Sequence, residues 1–111
     1  MHKMSILYVE DDGLTRLMMK KQLKNIFESF DEAENGAIGL EKFKSNKPDI
    51  VVTDISMPVM NGYEMIKNIR AIDKDVKIVV TTAHTEHDGK LDGCIIVQKP
   101  ILVEELIRSI T

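Results

Sequence analysis

The sequence has little of what would place it outside the ordinary globular proteins. Its single cysteine, Cys94, excludes a disulfide within the 111-residue chain, and nothing in the cysteine pattern suggests secretion. No apolar run approaches the roughly 20 residues that cross a membrane. Residues 1–5 lead into a short apolar stretch without a signal-peptide cleavage pattern. These absences predict a cytoplasmic protein that does not bind a membrane.

An excess of positive charge is also absent. The chain has 15 Lys and Arg residues against 18 Asp and Glu residues, which gives a net charge of −3. Domains that bind nucleic acid hold its phosphates with basic patches, and no basic tract occurs here. We therefore expect no nucleic-acid binding by this segment. The hydrophobic content of 43% suffices for a core, and the length fits one domain, residues 1–111.

Short apolar runs alternate with amphipathic stretches along the chain. The runs predict five strands, at residues 5–9, 29–33, 49–53, 76–82 and 94–97. Apolar residues at helical spacing predict helices after Asp12, after the turn pair Asn35-Gly36, after Asn61-Gly62 and over residues 101–110, with Pro100 at the start of the last. We interpret Asp12 as a helix N-cap, and Met18, Met19 and Met65 as packing residues.

Strands that alternate with helices predict an α/β fold with a doubly wound, five-stranded parallel sheet. The continuous apolar strands agree with a sheet covered on both faces. Between the fourth and fifth strands, residues 86–91 contain one large apolar residue, Leu91, and an interior glycine, Gly89. An interior glycine costs a helix about 1 kcal/mol, so we predict a shortened or missing fourth helix.

Polar residues follow the strands at their carboxyl ends, which meet at one edge of a parallel sheet. Glu10 and Asp11 follow the first strand, Asp54 follows the third, Thr82 ends the fourth, and Lys99 follows the fifth. Two carboxylates ~4 Å apart repel by about 4 kcal/mol at an effective dielectric constant of about 20, so either some of these acids are protonated or a cation lies among them. Oxygen ligands without His or Cys suit Mg²⁺. A metal-binding carboxylate beside an ammonium group predicts a site that accepts a phosphoryl group.

Four motifs resemble the receiver domain of two-component response regulators. They are Ile-Leu-Tyr-Val-Glu-Asp-Asp at residues 6–12, Thr-Asp-Ile-Ser-Met-Pro-Val-Met-Asn-Gly at residues 53–62, Thr82-Ala83, and Lys99-Pro100. The motifs occur in order, at successive strand ends, over nearly the whole chain. The resemblance implies a flavodoxin-like sheet with strand order 2-1-3-4-5.

The resemblance also implies a role for each site residue. Asp54 would be the phosphoacceptor, with Asp11 as a direct ligand of Mg²⁺ or Mn²⁺. Glu10 would act mainly through a water on the metal, and the backbone carbonyl of Ser56 would complete the protein ligands.

Two further residues would bind the phosphoryl group, with Thr82 donating its hydroxyl to one oxygen and Lys99 pairing with another. The phosphoryl donor would be a phosphohistidine on a sensor histidine kinase or a histidine phosphotransfer protein. Slow hydrolysis would follow, and the output would pass to a downstream effector domain or protein.

The sequence departs from the family at two places. Receivers usually carry Tyr or Phe three residues before the lysine, where this chain has Ile96, and residues 64–111 contain no aromatic residue. A switch based on an aromatic ring on this face is therefore excluded by composition. The interval from Thr82 to Lys99 is also shorter than is usual for the family, which agrees with the predicted loss of helix there.

Three functions compete at this point. The leading one is a signalling switch controlled by phosphorylation, which catalyses only its own phosphotransfer and dephosphorylation. The second is a degenerate receiver that binds proteins as an unphosphorylated scaffold, which the missing aromatic favours and the complete set of acids disfavours. The third is a Mg²⁺-dependent phosphohydrolase with Asp54 as its nucleophile, which the absence of a long substrate-covering insertion disfavours.

Overall fold

Strands and helices alternate along the chain in the computed structural model, which describes residues 2–83, 91 and 93–110. In these ranges the elements are β1 His2–Val9, α1 Gly13–Leu23, β2 Phe27–Ala33, α2 Gly36–Asn46, β3 Ile50–Thr53, α3 Gly62–Ile72, β4 Lys77–Thr82, β5 Ile95–Gln98 and α4 Val103–Ile110. The alternation confirms the α/β class. None of these helices combines the length and the apolar character that a membrane span requires.

The five strands form one parallel sheet in the order β2-β1-β3-β4-β5. This is the predicted order 2-1-3-4-5, in which β1 and β3 are central neighbours. Their pairing ends at Val9 opposite Thr53, so the residues that follow both strands leave the sheet side by side. The predicted doubly wound architecture is therefore confirmed.

Each face of the sheet carries its own apolar layer. Helices α2 and α3 cover one face, where Phe43 and Met65 pack on Leu7 and Val9 of β1. Helices α1 and α4 cover the other face, with core residues that include Met19, Leu23, Leu106, Ile6 and Tyr8. Successive residues of β1 thus point into opposite layers. Burial on both faces explains why the three central strands contain continuous apolar runs, Ile6–Val9, Ile50–Val52 and Ile78–Val80, rather than alternating residues.

Three helices begin at a side-chain cap. The carboxylate of Asp12 accepts the backbone N–H of Thr15, which confirms its predicted role at the start of α1. Asn35 and Asn61 do the same for α2 and α3. The sequence predicts Asn35-Gly36 as a turn and Asn61-Gly62 as part of a loop, but each pair is a helix N-cap followed by the first helical residue. An Asn side-chain oxygen satisfies the free N–H groups of a helix start as well as it stabilises a turn.

The surface of α1 differs from the sequence-based expectation. Only Met19 and Leu23 of this helix are buried, whereas Leu14 is 66% exposed, Leu17 is 49% exposed and Met18 is 53% exposed. The prediction that Met18 packs in the core is therefore wrong, while it holds for Met19 and Met65. The helix buries a narrow stripe, and an apolar patch remains on its outer side.

The last helix begins later than predicted. Helix α4 starts at Val103, so Pro100 precedes it and forms part of the connection, with a cis peptide bond after Lys99. Leu106 and Ile110 bury the inner face of α4 against the sheet. The predicted shortening of the fourth helix concerns residues 84–92, of which all but Leu91 lie outside the described residues, so it stays a prediction.

Tyr8 carries a buried hydroxyl that finds no hydrogen-bond partner among the described residues. The side chain is fully buried in the layer beneath α1, and burial raises the pKa of the phenol. A buried hydroxyl without a partner loses its bonds to water and gains nothing in return.

The Tyr8→Phe variant is therefore expected to be more stable than the wild type. Urea denaturation should give a free energy of unfolding about 1 kcal/mol higher. Tyr63→Phe, at the start of α3, is the matched control and should bring no gain, and a loss of stability in Tyr8→Phe would contradict this reading.

Candidate phosphoacceptor site

The predicted site residues converge at the carboxyl ends of β1 and β3. The backbone N–H of Asp54 donates to the carbonyl of Val9 at 3.1 Å, which ties the first residue after β3 to the end of β1. The N–H of Glu10 donates to the carbonyl of Ala33 in β2 at 3.0 Å. Glu10 and Asp54 are thus held by backbone bonds at the edge of the sheet.

Three carboxylates meet at this edge. Glu10, Asp11 and Asp54 each offer one oxygen, and these oxygens lie within 4.8 Å of one another. The side chain of Glu10 is 3% exposed and that of Asp54 is 14% exposed, while Asp11 is exposed to solvent. Sequence reasoning predicted this group from strand ends alone, and the structure brings all three acids together.

Lys99 reaches the same acids from the loop after β5. Its Nζ donates to Oδ2 of Asp54 at 2.7 Å and to Oε1 of Glu10 at 3.5 Å. Its backbone N–H donates to the carbonyl of Thr82 at 2.8 Å, which ties the loop after β5 to the end of β4. An ammonium group therefore neutralises part of the carboxylate charge at this site.

The electrostatics of the site reflect both burial and charge. Burial raises the pKa of Glu10, as does its contact with Asp11, while the backbone N–H of Asp12 and the charge of Lys99 oppose the rise. Burial alone would lower the pKa of Lys99, but the hydrogen bond and the charge of Asp54, together with Glu10, outweigh it and raise that pKa. The ammonium form of Lys99 is thus favoured beside these carboxylates.

Thr82 lies at the strand end that the sequence predicted, and Ser56, which only the family resemblance implied, lies in the loop after β3. Thr82 is the last residue of β4 and is buried. Ser56 is exposed in the loop between β3 and α3, two residues after Asp54. Ile96 occupies β5 with 39% of its surface exposed.

The loop after Asp54 depends on two glycines, Gly36 and Gly62, whose contacts with this loop the sequence did not predict. The N–H of Gly62 donates to the carbonyl of Ile55 at 2.8 Å, and a Cβ on Gly62 would lie 2.3 Å from the backbone oxygen of Asp54. The N–H of Gly36 donates to the carbonyl of Met60 at 2.9 Å, and a Cβ on Gly36 would lie 2.4 Å from that carbonyl oxygen of Met60. Both helices can approach the loop only because these positions lack a side chain. The signal in the sequence was the Asn-Gly pair at the start of each helix.

A second feature that sequence reasoning missed is Arg16. This α1 residue donates from Nη1 to the backbone carbonyls of Glu10 at 2.8 Å and of Asp11 at 3.2 Å. Its position, four residues after the N-cap Asp12, was the available signal, because a side chain there can fold back over the start of the helix.

The chemistry of the donor set fits a hard divalent cation. Carboxylate and backbone carbonyl oxygens are the ligands of Mg²⁺, which takes one or two carboxylates and keeps several waters. Glu10, Asp11 and Asp54 supply carboxylate oxygens at one place, and no sulfur or imidazole joins them among the described residues. The acids therefore suit Mg²⁺ or Mn²⁺ rather than a softer metal.

A parallel sheet in this order, with three acids and a lysine at the carboxyl ends of its strands, defines a receiver of two-component signalling. The chain belongs to the response regulator receiver domain family, whose sequence profile, described as "Response regulator receiver domain", matches residues 6–111. Receiver domains are regulatory signalling domains rather than classical enzymes, and they interact with histidine kinases and effectors. The resemblance seen in the motifs is thereby confirmed.

Comparisons with individual proteins support the same family assignment. The chain is 42% identical over 89 residues to the chemotaxis protein CheY of Bacillus subtilis, covering 79% of this chain and 74% of that protein. It is similar to the N-terminal domain of a Wolinella succinogenes protein, with a TM-score of 0.89, 30% identity, and coverage of 96% and 90% of the two chains. It is also similar to the chemotaxis response regulator CheY4 of Vibrio cholerae, with a TM-score of 0.88, 25% identity, and coverage of 98% and 97%.

Proposed function

We propose that residues 1–111 act as one receiver domain that accepts a phosphoryl group on Asp54 in a phosphorelay. The observation that carries the proposal is the position of the Asp54 carboxylate, 2.7 Å from the Lys99 ammonium and within 4.8 Å of the ligand oxygens of Glu10 and Asp11. A nucleophilic oxygen thus lies beside one ammonium group and two acids that could hold a divalent cation, and these positive charges would neutralise a transferred phosphoryl group.

In the proposed reaction, an oxygen of Asp54 attacks phosphorus in line with the P–N bond of a phosphohistidine. The new O–P bond forms as the P–N bond breaks, and the imidazole leaves with the electron pair and takes up a proton. Lys99 pairs with one phosphoryl oxygen, and Thr82 donates its hydroxyl to another. Charge on the phosphoryl oxygens is neutralised where it develops.

The cation site is proposed to consist of Asp11 and Asp54 as direct ligands, Glu10 acting mainly through water, and the backbone carbonyl of Ser56. A bound Mg²⁺ or Mn²⁺ would supply positive charge to the phosphoryl oxygens and to the entering carboxylate. The same residues allow slow hydrolysis of the aspartyl phosphate, so the domain would catalyse only its own phosphorylation and dephosphorylation.

The proposed donor is a sensor histidine kinase or a histidine phosphotransfer protein. An apolar patch on α1, formed by Leu14, Leu17 and Met18, supports a protein partner, because exposed apolar patches commonly mark interaction sites. The patch is close to the phosphoacceptor site, since Met18 and Lys99 line one shallow cavity of about 270 Å³. The net charge of −3 favours a protein partner over nucleic acid.

The output is proposed to be a change in affinity for an effector domain or protein. Phosphorylation adds charge that draws Thr82 toward the phosphoryl group and moves the Lys99 ammonium from the Asp54 carboxylate to a phosphoryl oxygen, which shifts the segments that carry both residues. Ile96 stands where receivers usually have Tyr or Phe, and residues 64–111 contain no Phe, Tyr or Trp. The signal would therefore pass through these segments rather than through a rotating aromatic ring.

Incubation with acetyl phosphate, with Mg²⁺ or with EDTA, tests the proposal by intact-mass spectrometry. We expect a mass increase of one phosphoryl group per chain that requires Mg²⁺, is stable in acid and labile in base, and maps to the peptide that contains Asp54. No increase with acetyl phosphate or with a phosphorylated histidine phosphotransfer protein would favour the scaffold function. Release of many equivalents of phosphate from a phosphate ester would favour a phosphohydrolase.

A further inference from the structure

Arg16 lies over the loop that carries two of the acids of the site. Its Nη1 donates to the carbonyl of Glu10 at 2.8 Å and to the carbonyl of Asp11 at 3.2 Å. The ladder pairing of β1 with β2 and β3 ends at Val9, so both carbonyls lie beyond the last paired residue of the strand. The guanidinium group therefore supplies donors where the sheet no longer does.

The other side of the guanidinium group is fixed by β2. Nε of Arg16 pairs with Oε1 of Glu32 at 3.3 Å, and the arginine side chain is only 19% exposed. Lys20, one turn along α1, pairs with Oε2 of the same glutamate at 3.2 Å. Because the guanidinium is planar and its donors have fixed directions, a bond at Nε also sets where Nη1 points. Arg16 thus connects β2, α1 and the loop after β1.

From these contacts we infer that Arg16 is a positioning residue for the cation site. By fixing the backbone at Glu10 and Asp11, it keeps their carboxylates directed at Asp54. The ligand oxygens lie within 4.8 Å of one another although like charges repel, and a loop free to relax would move them apart. The inference rests on the proposed function, because it concerns the cation that phosphoryl transfer requires.

The sign of the effect separates positioning from plain electrostatics. Arg16 is a cation near a cation site, so removal of its charge alone would strengthen Mg²⁺ binding. Removal of a group that orients metal ligands weakens metal binding, typically about 10-fold or more. A weaker affinity in the variant therefore reports the loss of the two carbonyl bonds and not the loss of charge.

Calorimetric titration of the whole chain with MgCl₂ tests the inference in Arg16→Gln, with Lys20→Gln as the matched control. Both variants lose one positive charge from α1 and one pairing with Glu32, but only Arg16→Gln loses bonds to the loop. We expect the Kd for Mg²⁺ to rise about 10-fold in Arg16→Gln and to change less than about 2-fold in Lys20→Gln. Arg16→Lys retains the positive charge but not the guanidinium group with its several N–H donors, so its Kd for Mg²⁺ should lie between those of the wild type and Arg16→Gln.

Acetyl phosphate kinetics give a second readout. In Arg16→Gln the Mg²⁺ concentration at half-maximal rate should rise with the Kd, while the rate at saturating Mg²⁺ stays near that of wild type. Equal Mg²⁺ affinity in Arg16→Gln and Lys20→Gln would overturn the inference. If Arg16→Gln does not fold, Arg16→Lys decides, and wild-type affinity in that variant would overturn it. Calorimetry measures the metal directly, so failure of wild-type phosphorylation would count against the proposed function and not against the role of Arg16.

Discussion

Asp54→Asn is expected to abolish phosphoryl transfer to the chain from both acetyl phosphate and a protein phosphohistidine. Asparagine keeps the size and shape of aspartate but replaces the nucleophilic oxygen anion with a neutral amide, so no acyl phosphate can form. The backbone N–H of Ile55 and the Nζ of Lys99 donate to different oxygens of Asp54, Oδ1 and Oδ2, so the single amide oxygen of asparagine can keep one of these two contacts. Intact-mass spectrometry should show no phosphorylated species at any Mg²⁺ concentration.

Asp75→Asn is the matched control for this result. Asp75 is exposed and precedes β4, at the edge of the sheet opposite the phosphoacceptor site, so the same chemical change should leave phosphorylation as in wild type. Circular dichroism of both variants would show that the fold is retained. A phosphorylated product in Asp54→Asn would assign the acceptor to another residue and refute the proposed chemistry.

Gly62→Ala is expected to lower the free energy of unfolding by about 3 kcal/mol or more. The new Cβ would lie 2.3 Å from the backbone oxygen of Asp54 and 2.9 Å from the Cα of Ile55. Both neighbours are backbone atoms next to a buried strand, so no side chain can rotate to make room. The start of α3 would have to move away from the loop, and urea denaturation should show the loss as an earlier midpoint.

Gly13→Ala is the control for Gly62→Ala, since both glycines are the first residue of a helix. A Cβ on Gly13 would meet nothing closer than the side chain of Arg16 at 3.7 Å, which is ordinary contact. This variant should gain up to about 1 kcal/mol, because alanine is the better helix former. Equal stability of the two variants would show that the approach of α3 to Asp54 is not as tight as the structure has it.

The parts of the fold that could be predicted from the sequence are those with a clear pattern of apolar residues. Strands β3 and β4 contain the apolar runs Ile50–Val52 and Ile78–Val80, and a sheet buried on both faces accommodates such runs. The site followed from topology, because residues after parallel strands meet at one edge. Asp54 and Lys99, 45 positions apart, could be placed together without coordinates.

The features that the sequence did not reveal depend on packing between elements. The exposure of Met18 could not be read from helical spacing, since the pattern gives a face but not how much of it the neighbours cover. Asn35-Gly36 and Asn61-Gly62 suit a turn and a helix cap equally well, and only the helix that follows decides between them. The contact of Arg16 with the loop is set by a side-chain rotation for which sequence carries no pattern.

One backbone bond has a consequence for how such domains can vary in length. The N–H of Lys99 binds the carbonyl of Thr82 at 2.8 Å, immediately beyond the paired residues Thr82 and Gln98. The two ends of the intervening segment are therefore anchored to each other, whatever number of residues connects them. Insertions or deletions between β4 and β5 can therefore change the outer surface of the domain. The spacing between Thr82 and Lys99 would stay the same.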